Sequence, residues 1–235
     1  ILVPIPVAGR LFKTEYPLLM LATVVMAWAL YDLTLDIVDG FALLGLLILS
    51  LGHLIREHRR NPEAYAHEEH ENAEMVHDMK MPAALGWLVL GLALLVGSSK
   101  LLVWGASGIA VALGISELVI GLTIVALGTS LPELAASIAS LRKGTPDLAI
   151  GNVIGSNLFN SLAVIGLPAL LTTFTIDPSA RLRDLPVVIG FTLVLLLMSR
   201  FPGGSTRRIT RLKGIILLVG FVLYQLNLYY QVTMA

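Results

Sequence analysis

"GTSLPELAASIAS", from Gly128 to Ser140, places a proline at position 132 and a carboxylate at Glu133 inside a stretch that otherwise has the apolarity of a membrane helix. Neither residue is tolerated cheaply in lipid. Pro132 donates no backbone hydrogen bond, and its ring clashes with the carbonyl four residues back, that of Gly128. Carbonyls around residues 126–129 are therefore predicted to lack helical partners. Broken backbone at membrane depth is tolerated only where it is buried in protein or lines a cavity. An acidic residue at the centre of a span costs about 2.5–3.5 kcal/mol on insertion scales, so Glu133 is expected to face a partner or a water-filled cavity.

The remaining sequence agrees with a membrane setting. The chain has 235 residues, of which 56% are hydrophobic and only 14% charged, and a mean hydropathy of +0.84. A soluble domain carries roughly a quarter charged residues. The expected fold class is an all-α polytopic membrane protein. A span needs about 20 apolar residues, and seven candidate transmembrane helices fit: 17–34, 39–55, 83–112, 117–141, 147–171, 186–200 and 212–230. The zero net charge shows no footprint for nucleic acid, and the absence of cysteine excludes disulfides, thiolate metal sites and thiol catalysis. The first residues, ILVPIPVAGR, do not read as a signal peptide.

Alternating the loops puts thirteen of the sixteen Lys and Arg residues on one side, with only Arg181 and Arg183 opposite and Lys100 inside a span. The positive-inside rule makes the thirteen-residue side cytoplasmic and turns the C-terminus outward. A polar linker, residues 57–82, separates two blocks, 1–56 and 83–235. The blocks resemble each other. Residues 5–21 align with 174–190, matching Glu15 with Asp184 and Pro17 with Pro186, and "GFALLGLLILSL" at Gly40 echoes "GIILLVGFVLYQ" at Gly214. The loops so matched face opposite sides, which is the pattern of an inverted-topology repeat, common in secondary transporters. The second block has five helices. The first shows two, so three further helices are expected ahead of Ile1.

Two adjacent spans carry polar groups at depth: Thr123, Thr129, Ser130 and Glu133 on one, and Asn152, Ser156, Asn157 and Asn160 on the next. Thr129 and Glu133 are four apart and share a face, as do Ser156 and Asn160. Gly151 and Gly155 form a small-xxx-small pair that allows close helix approach. Carboxylate, carbonyl, hydroxyl and carboxamide are hard oxygen donors, suited to Na⁺, Ca²⁺ or Mg²⁺ and not to soft transition metals. Ca²⁺ takes six to eight oxygens. One half of this kind supplies fewer, with a single negative charge, so a second similar half is needed.

"GTSLPEL" (128–134) followed by "GNVIGSNLFN" (151–160) resembles the second of two repeats in the sodium/calcium exchanger family of the calcium/cation antiporter superfamily, nearest its prokaryotic branch. The resemblance covers 83–230, with 1–56 as the end of the first half. It implies ten helices in two inverted groups of five, a mid-membrane cation site, and a bacterial or archaeal plasma membrane. Transferred by motif, Glu133 is the principal Ca²⁺ ligand, also used by Na⁺. Thr129 and Ser130 coordinate by carbonyl or hydroxyl, Ala126 by its carbonyl, Ser156 ligates Na⁺, and Asn160 lines the site. Some members have Asp where this chain has Asn160, a choice that bears on K⁺ dependence. The transported ions are Ca²⁺ and Na⁺, with K⁺ open, and no cofactor is implied. The partners are the lipid bilayer and the first repeat upstream.

Other readings compete. A proton-coupled Ca²⁺ exchanger would cycle a proton on Glu133; the many Ser, Thr and Asn donors favour Na⁺. A membrane-embedded metal hydrolase is disfavoured, because the five histidines lie at or beyond a membrane edge and no HExxH occurs. The chain is read as no enzyme. A non-transporting assembly subunit is a third class. Asn160 could simply bond across helices. Glu117 is read as a first-turn residue favoured by the helix dipole, Lys100 as snorkelling or lining a cavity, and Asp32, Asp36 and Asp39 as topology-setting loop charges. His67, His70 and His77 in the linker invite a metal-binding reading, against which a solvated connector is preferred.

Overall fold

In the computed structural model the described residues are 4–7, 9, 11–61, 81–115, 117–201 and 208–234. Helices dominate. They are α1 (Glu15–Ala29), α2 (Ile37–Arg60) and α3 (Met81–Ala112); α4 (117–129), which passes through a π-helical turn at Gly121–Val125, and α5 (Leu131–Arg142); α6 (Pro146–Leu171), with a second π turn at Asn160–Val164, α7 (Ala180–Arg200) and α8 (Arg211–Met234).

Five of these, α2, α3, α6, α7 and α8, are long and apolar enough to cross a membrane. Residues 123–129 of α4 together with α5 make a sixth span if the bent pair is one crossing. The seventh expected span, 17–34, differs. Its helix has 15 residues, about 22 Å, against a hydrocarbon core of about 30 Å. It stops at Ala29 because the chain turns there, with Leu33 at a φ of 64° and Asp32 accepting from the Thr34 amide at 3.0 Å. The all-α expectation also needs amendment. Four two-residue strands pair antiparallel: β1 (Ile5–Pro6) with β4 (Arg208–Ile209), and β2 (Thr34–Leu35) with β3 (Phe174–Thr175).

The three aspartates expected only to set topology have local work. The Asp36 side chain accepts from the amides of Val38 at 2.7 Å and Asp39 at 3.1 Å, while Asp39 accepts from the Asp36 amide at 3.1 Å. This reciprocal capping box satisfies donors that the start of α2 would otherwise strand. At the other end, His58, Arg59 and Arg60 sit in the last turn, where the helix dipole favours positive charge. Helix α2 thus continues four residues beyond 56, where the first block was expected to end.

The core lies between α1, α2 and α6. Ala22, Met26, Leu43, Leu158 and Leu162 are buried in one cluster, and Leu11, Tyr16, Leu19, Ile150 and Ile154 in another. On α6 the buried residues Ile150, Ile154, Leu158 and Leu162 recur every four positions, a stripe along one face. Gly40 and Gly166 make the crossing of α2 and α6 close: a Cβ at Gly40 would come within 2.8 Å of Leu170, and one at Gly166 within 3.0 Å of Leu43. The apolar stripe therefore fixes α6 on α1 and α2 and leaves its polar residues for α5.

Candidate cation site

Helices α5 and α6 run side by side, joined by a turn in which Gly144 takes a φ of +79° that glycine adopts without strain. Pro146 then opens α6 in its first turn, where its missing N–H costs nothing. This hairpin puts the 152–156 turn of α6 against the first turn of α5. The Ser156 hydroxyl donates to Glu133 Oε1 at 3.3 Å. The Asn152 amide donates to the Glu133 backbone carbonyl at 2.9 Å and contacts Ser137 Oγ at 3.0 Å. Glu133 is half-buried, and its second oxygen, Oε2, is buried without a hydrogen-bond partner. Buried acceptors of this kind are rare because the lost hydration is not recovered.

The proline produces the expected break. Residues 123–129 and Leu131–Arg142 meet at a bend of 42°. Across it, the Ser130 amide bonds back to the Leu127 carbonyl at 3.1 Å, and the Leu134 amide resumes helical bonding on the Ser130 carbonyl at 3.1 Å. The Gly128 carbonyl, expected to be free, is not. The Ser99 hydroxyl of α3 donates to it at 2.5 Å. Gly128 is buried, and a Cβ there would overlap the Val103 side chain of α3.

The remaining predicted residues lie around this centre. The Thr129 hydroxyl donates to the Ala126 carbonyl at 3.1 Å, so that carbonyl too is engaged, with one lone pair in hand. Ser130 occupies the junction and makes no side-chain capping bond. Asn160 begins the π turn of α6, one turn beyond Ser156. Ala126, Thr129, Ser130 and Asn160 are all exposed. The structure thus brings Glu133 and Ser156 into direct contact, and leaves Ala126, Thr129 and Ser130 exposed at the break and Asn160 exposed one turn along α6. Of the three π turns among the described residues, those at Gly121–Val125 and Asn160–Val164 lie on the two helical runs that carry these donors, and the third, at Ala180–Asp184, does not; such turns recur at functional sites. Among the described residues no three His, Asp or Glu gather into a metal-binding cluster, so this is a one-carboxylate, oxygen-donor arrangement.

Elsewhere, Glu117 opens α4 as its first-turn position implied, and Lys100 is exposed on α3. His67, His70 and His77 lie outside the described residues. Sequence reasoning missed Ser99 and gave Asn152 no role. The available signal for Ser99 was a polar pair, Ser98–Ser99, inside an apolar span.

Known proteins are similar to this chain at several levels. Residues 83–230 match the family described as sodium/calcium exchanger protein. The chain is 45% identical over 229 residues to the putative antiporter CaxA of Alkalimonas amylolytica, covering 97% of this chain and 72% of that protein. It is 37% identical to the inner membrane protein YrbG of Escherichia coli K12, covering 97% and 70%. Over 143 residues it is 36% identical to the sodium/calcium exchanger MaX1 of Methanosarcina acetivorans, covering 61% and 40%. The fold superposes on a solved structure of the sodium-calcium exchanger NCX_Mj with a TM-score of 0.73 and 27% identity, across 95% of this chain and 67% of that one. With the matched region spanning more than half of its residues, this chain belongs to the sodium/calcium exchanger family of membrane proteins.

Proposed function

We propose that the protein is a secondary antiporter that moves Ca²⁺ against Na⁺, with Glu133 as the central ligand. One observation carries this reading. Glu133 offers one oxygen to Ser156 and buries the other with no protein donor, and a cation is the group that answers an unpaired buried carboxylate oxygen. Ser156, Thr129, Ser130, Asn160 and the Ala126 carbonyl supply hard oxygen nearby, the chemistry that Na⁺ and Ca²⁺ share. Competition of the two ions for overlapping donors couples their fluxes. An empty site leaves the carboxylate uncompensated and resists reorientation, whereas an occupied one permits it.

A single carboxylate is too little for Ca²⁺, which takes six to eight oxygens. The exposed donors around the break face a second set in this reading, contributed by a first repeat of opposite orientation that includes three helices ahead of α1. The strand ladders support the inverted repeat. Matching residue 5 with 174 and Gly40 with Gly214 makes β3 the counterpart of β1, and β4 the counterpart of β2. Exchanging counterparts converts the β1·β4 ladder into β3·β2, which is the other ladder present. The Lys and Arg bias supports a cytoplasmic 57–82 linker and an outward C-terminus, and the prokaryotic relatives support a prokaryotic plasma membrane.

The test is Na⁺-gradient-driven uptake of radioactive Ca²⁺ into vesicles holding the full-length protein, with and without K⁺. Glu133→Gln is expected to abolish it; uptake equal to wild type removes Glu133 from the site. The same buried oxygen suits a proton, so H⁺/Ca²⁺ exchange is the second reading. Uptake that ignores Na⁺ and collapses with a protonophore selects it.

A further inference from the structure

We propose that Ser99 of α3 is a positioning residue for the cation site: its hydroxyl holds the carbonyl that Pro132 orphans and thereby sets the break that presents Ala126, Thr129, Ser130 and Glu133. The proposal rests on the reading of Glu133 and Ser156 as the ion site.

The chemistry follows from position. The Gly128 carbonyl should receive the amide of residue 132, which is proline. It is buried, so water is no ready substitute, and an unmet buried acceptor is unfavourable. Ser99 provides the donor at 2.5 Å. Along the 32 residues of α3 only Ser99 and Ala110 are buried, so a helix with most of its residues exposed turns a hydroxyl inward at the break. Its neighbour shows the alternative: the Ser98 hydroxyl bonds to the Leu95 carbonyl of its own helix at 3.1 Å, the habit of serines within membrane helices. Val103, one turn beyond Ser99, stands where a Cβ of residue 128 would go. Gly128 is thus gripped at its carbonyl and at its α-carbon by one face of α3. The Ser130 amide, bonded to the Leu127 carbonyl, also turns toward the Gly128 carbonyl, and the cavity of about 280 Å³ beside Pro132 and Ser99 is lined mostly by apolar side chains such as Leu95, Leu102 and Ile138.

The test is a Ca²⁺ titration of exchange in vesicles holding the full-length protein. Ser99→Ala is expected to raise the half-saturating Ca²⁺ concentration about tenfold, with a smaller change in maximal rate. Ser99→Thr keeps the hydroxyl and is expected to stay within about threefold of wild type, and Ser98→Ala to match it. If Ser99→Ala does not reach the membrane, Ser99→Cys carries the comparison, since it keeps the size with a weaker donor and must still raise half-saturation. An unchanged half-saturation in Ser99→Ala, or in Ser99→Cys where that stands in for it, overturns the proposal. So does an equal rise in Ser99→Ala and Ser99→Thr. Glu133→Gln in parallel separates the two readings. If it abolishes exchange while Ser99→Ala is silent, only the role of Ser99 fails; if it is harmless, the site itself fails.

Discussion

Pro132 and Pro168 both interrupt helical runs, with opposite results. Pro132 splits its element into α4 and α5 at a 42° bend. Pro168 sits inside the helical run Ile165–Leu171, directly after the π turn Asn160–Val164. The carbonyl four residues before Pro168 belongs to Val164, the last residue of that wider turn, and local π adjustment is one of the ways a membrane helix absorbs a proline. The surroundings differ as much as the backbone. Gly166 and Ala169 beside Pro168 are buried in apolar packing against α2. Beside Pro132 stand a carboxylate, the Ser99 hydroxyl and the Asn152 amide. A proline alone does not make a site. It makes one where the freed backbone is met by polar groups from other helices.

Four substitutions test that contrast, beginning with the largest effect. Glu133→Gln removes the only charge at the break and is expected to lower Ca²⁺ uptake by about a hundredfold or more, a loss of roughly 3 kcal/mol of charged interaction. Gly128→Ala drives a methyl into Val103 and is expected to destabilise the protein by about 1–3 kcal/mol, seen as a lower thermal midpoint in detergent. Val103→Ala in the same chain should restore most of it; an additive loss would show that the close approach is not the cause. Asn152→Ala strips a donor from the Glu133 carbonyl and from Ser137, and about 1–2 kcal/mol of stability with it. Pro168→Ala is expected to change stability by under about 0.5 kcal/mol, because the π turn and apolar packing already accommodate the ring. A Pro168 variant as damaging as those near Pro132 would erase the distinction between the two interruptions.

Much of this was legible in the chain itself. Apolar length located the helices, and the "LPE" triplet located the bend and its acid, because both follow from what lipid forbids. The contact between Glu133 and Ser156 was foreshadowed by two polar spans joined by a short turn. Other features left no trace at that level. The hydroxyl of Ser99 lies 29 positions from its acceptor, and nothing in local spacing pairs them; only the packing of α3 on α4 does. The ladders of two residues each are too short to carry an alternating pattern. The π turns change the hydrogen-bond ring and not the apolar periodicity. Asp36 and Asp39 looked like surplus charge until their capping geometry gave each an amide to accept.

Those two-residue ladders have a mechanical consequence. One joins the segment before α1 to the segment before α8, and the other joins the segment after α1 to the segment before α7. They act as clasps at both ends of the same short column. Sliding the column by one strand position, about 3.3 Å, would break main-chain bonds at top and bottom together. The segments flanking α1 are thereby tied to those ahead of α7 and α8, while no strand joins the described parts of α3, α4 and α5 to them.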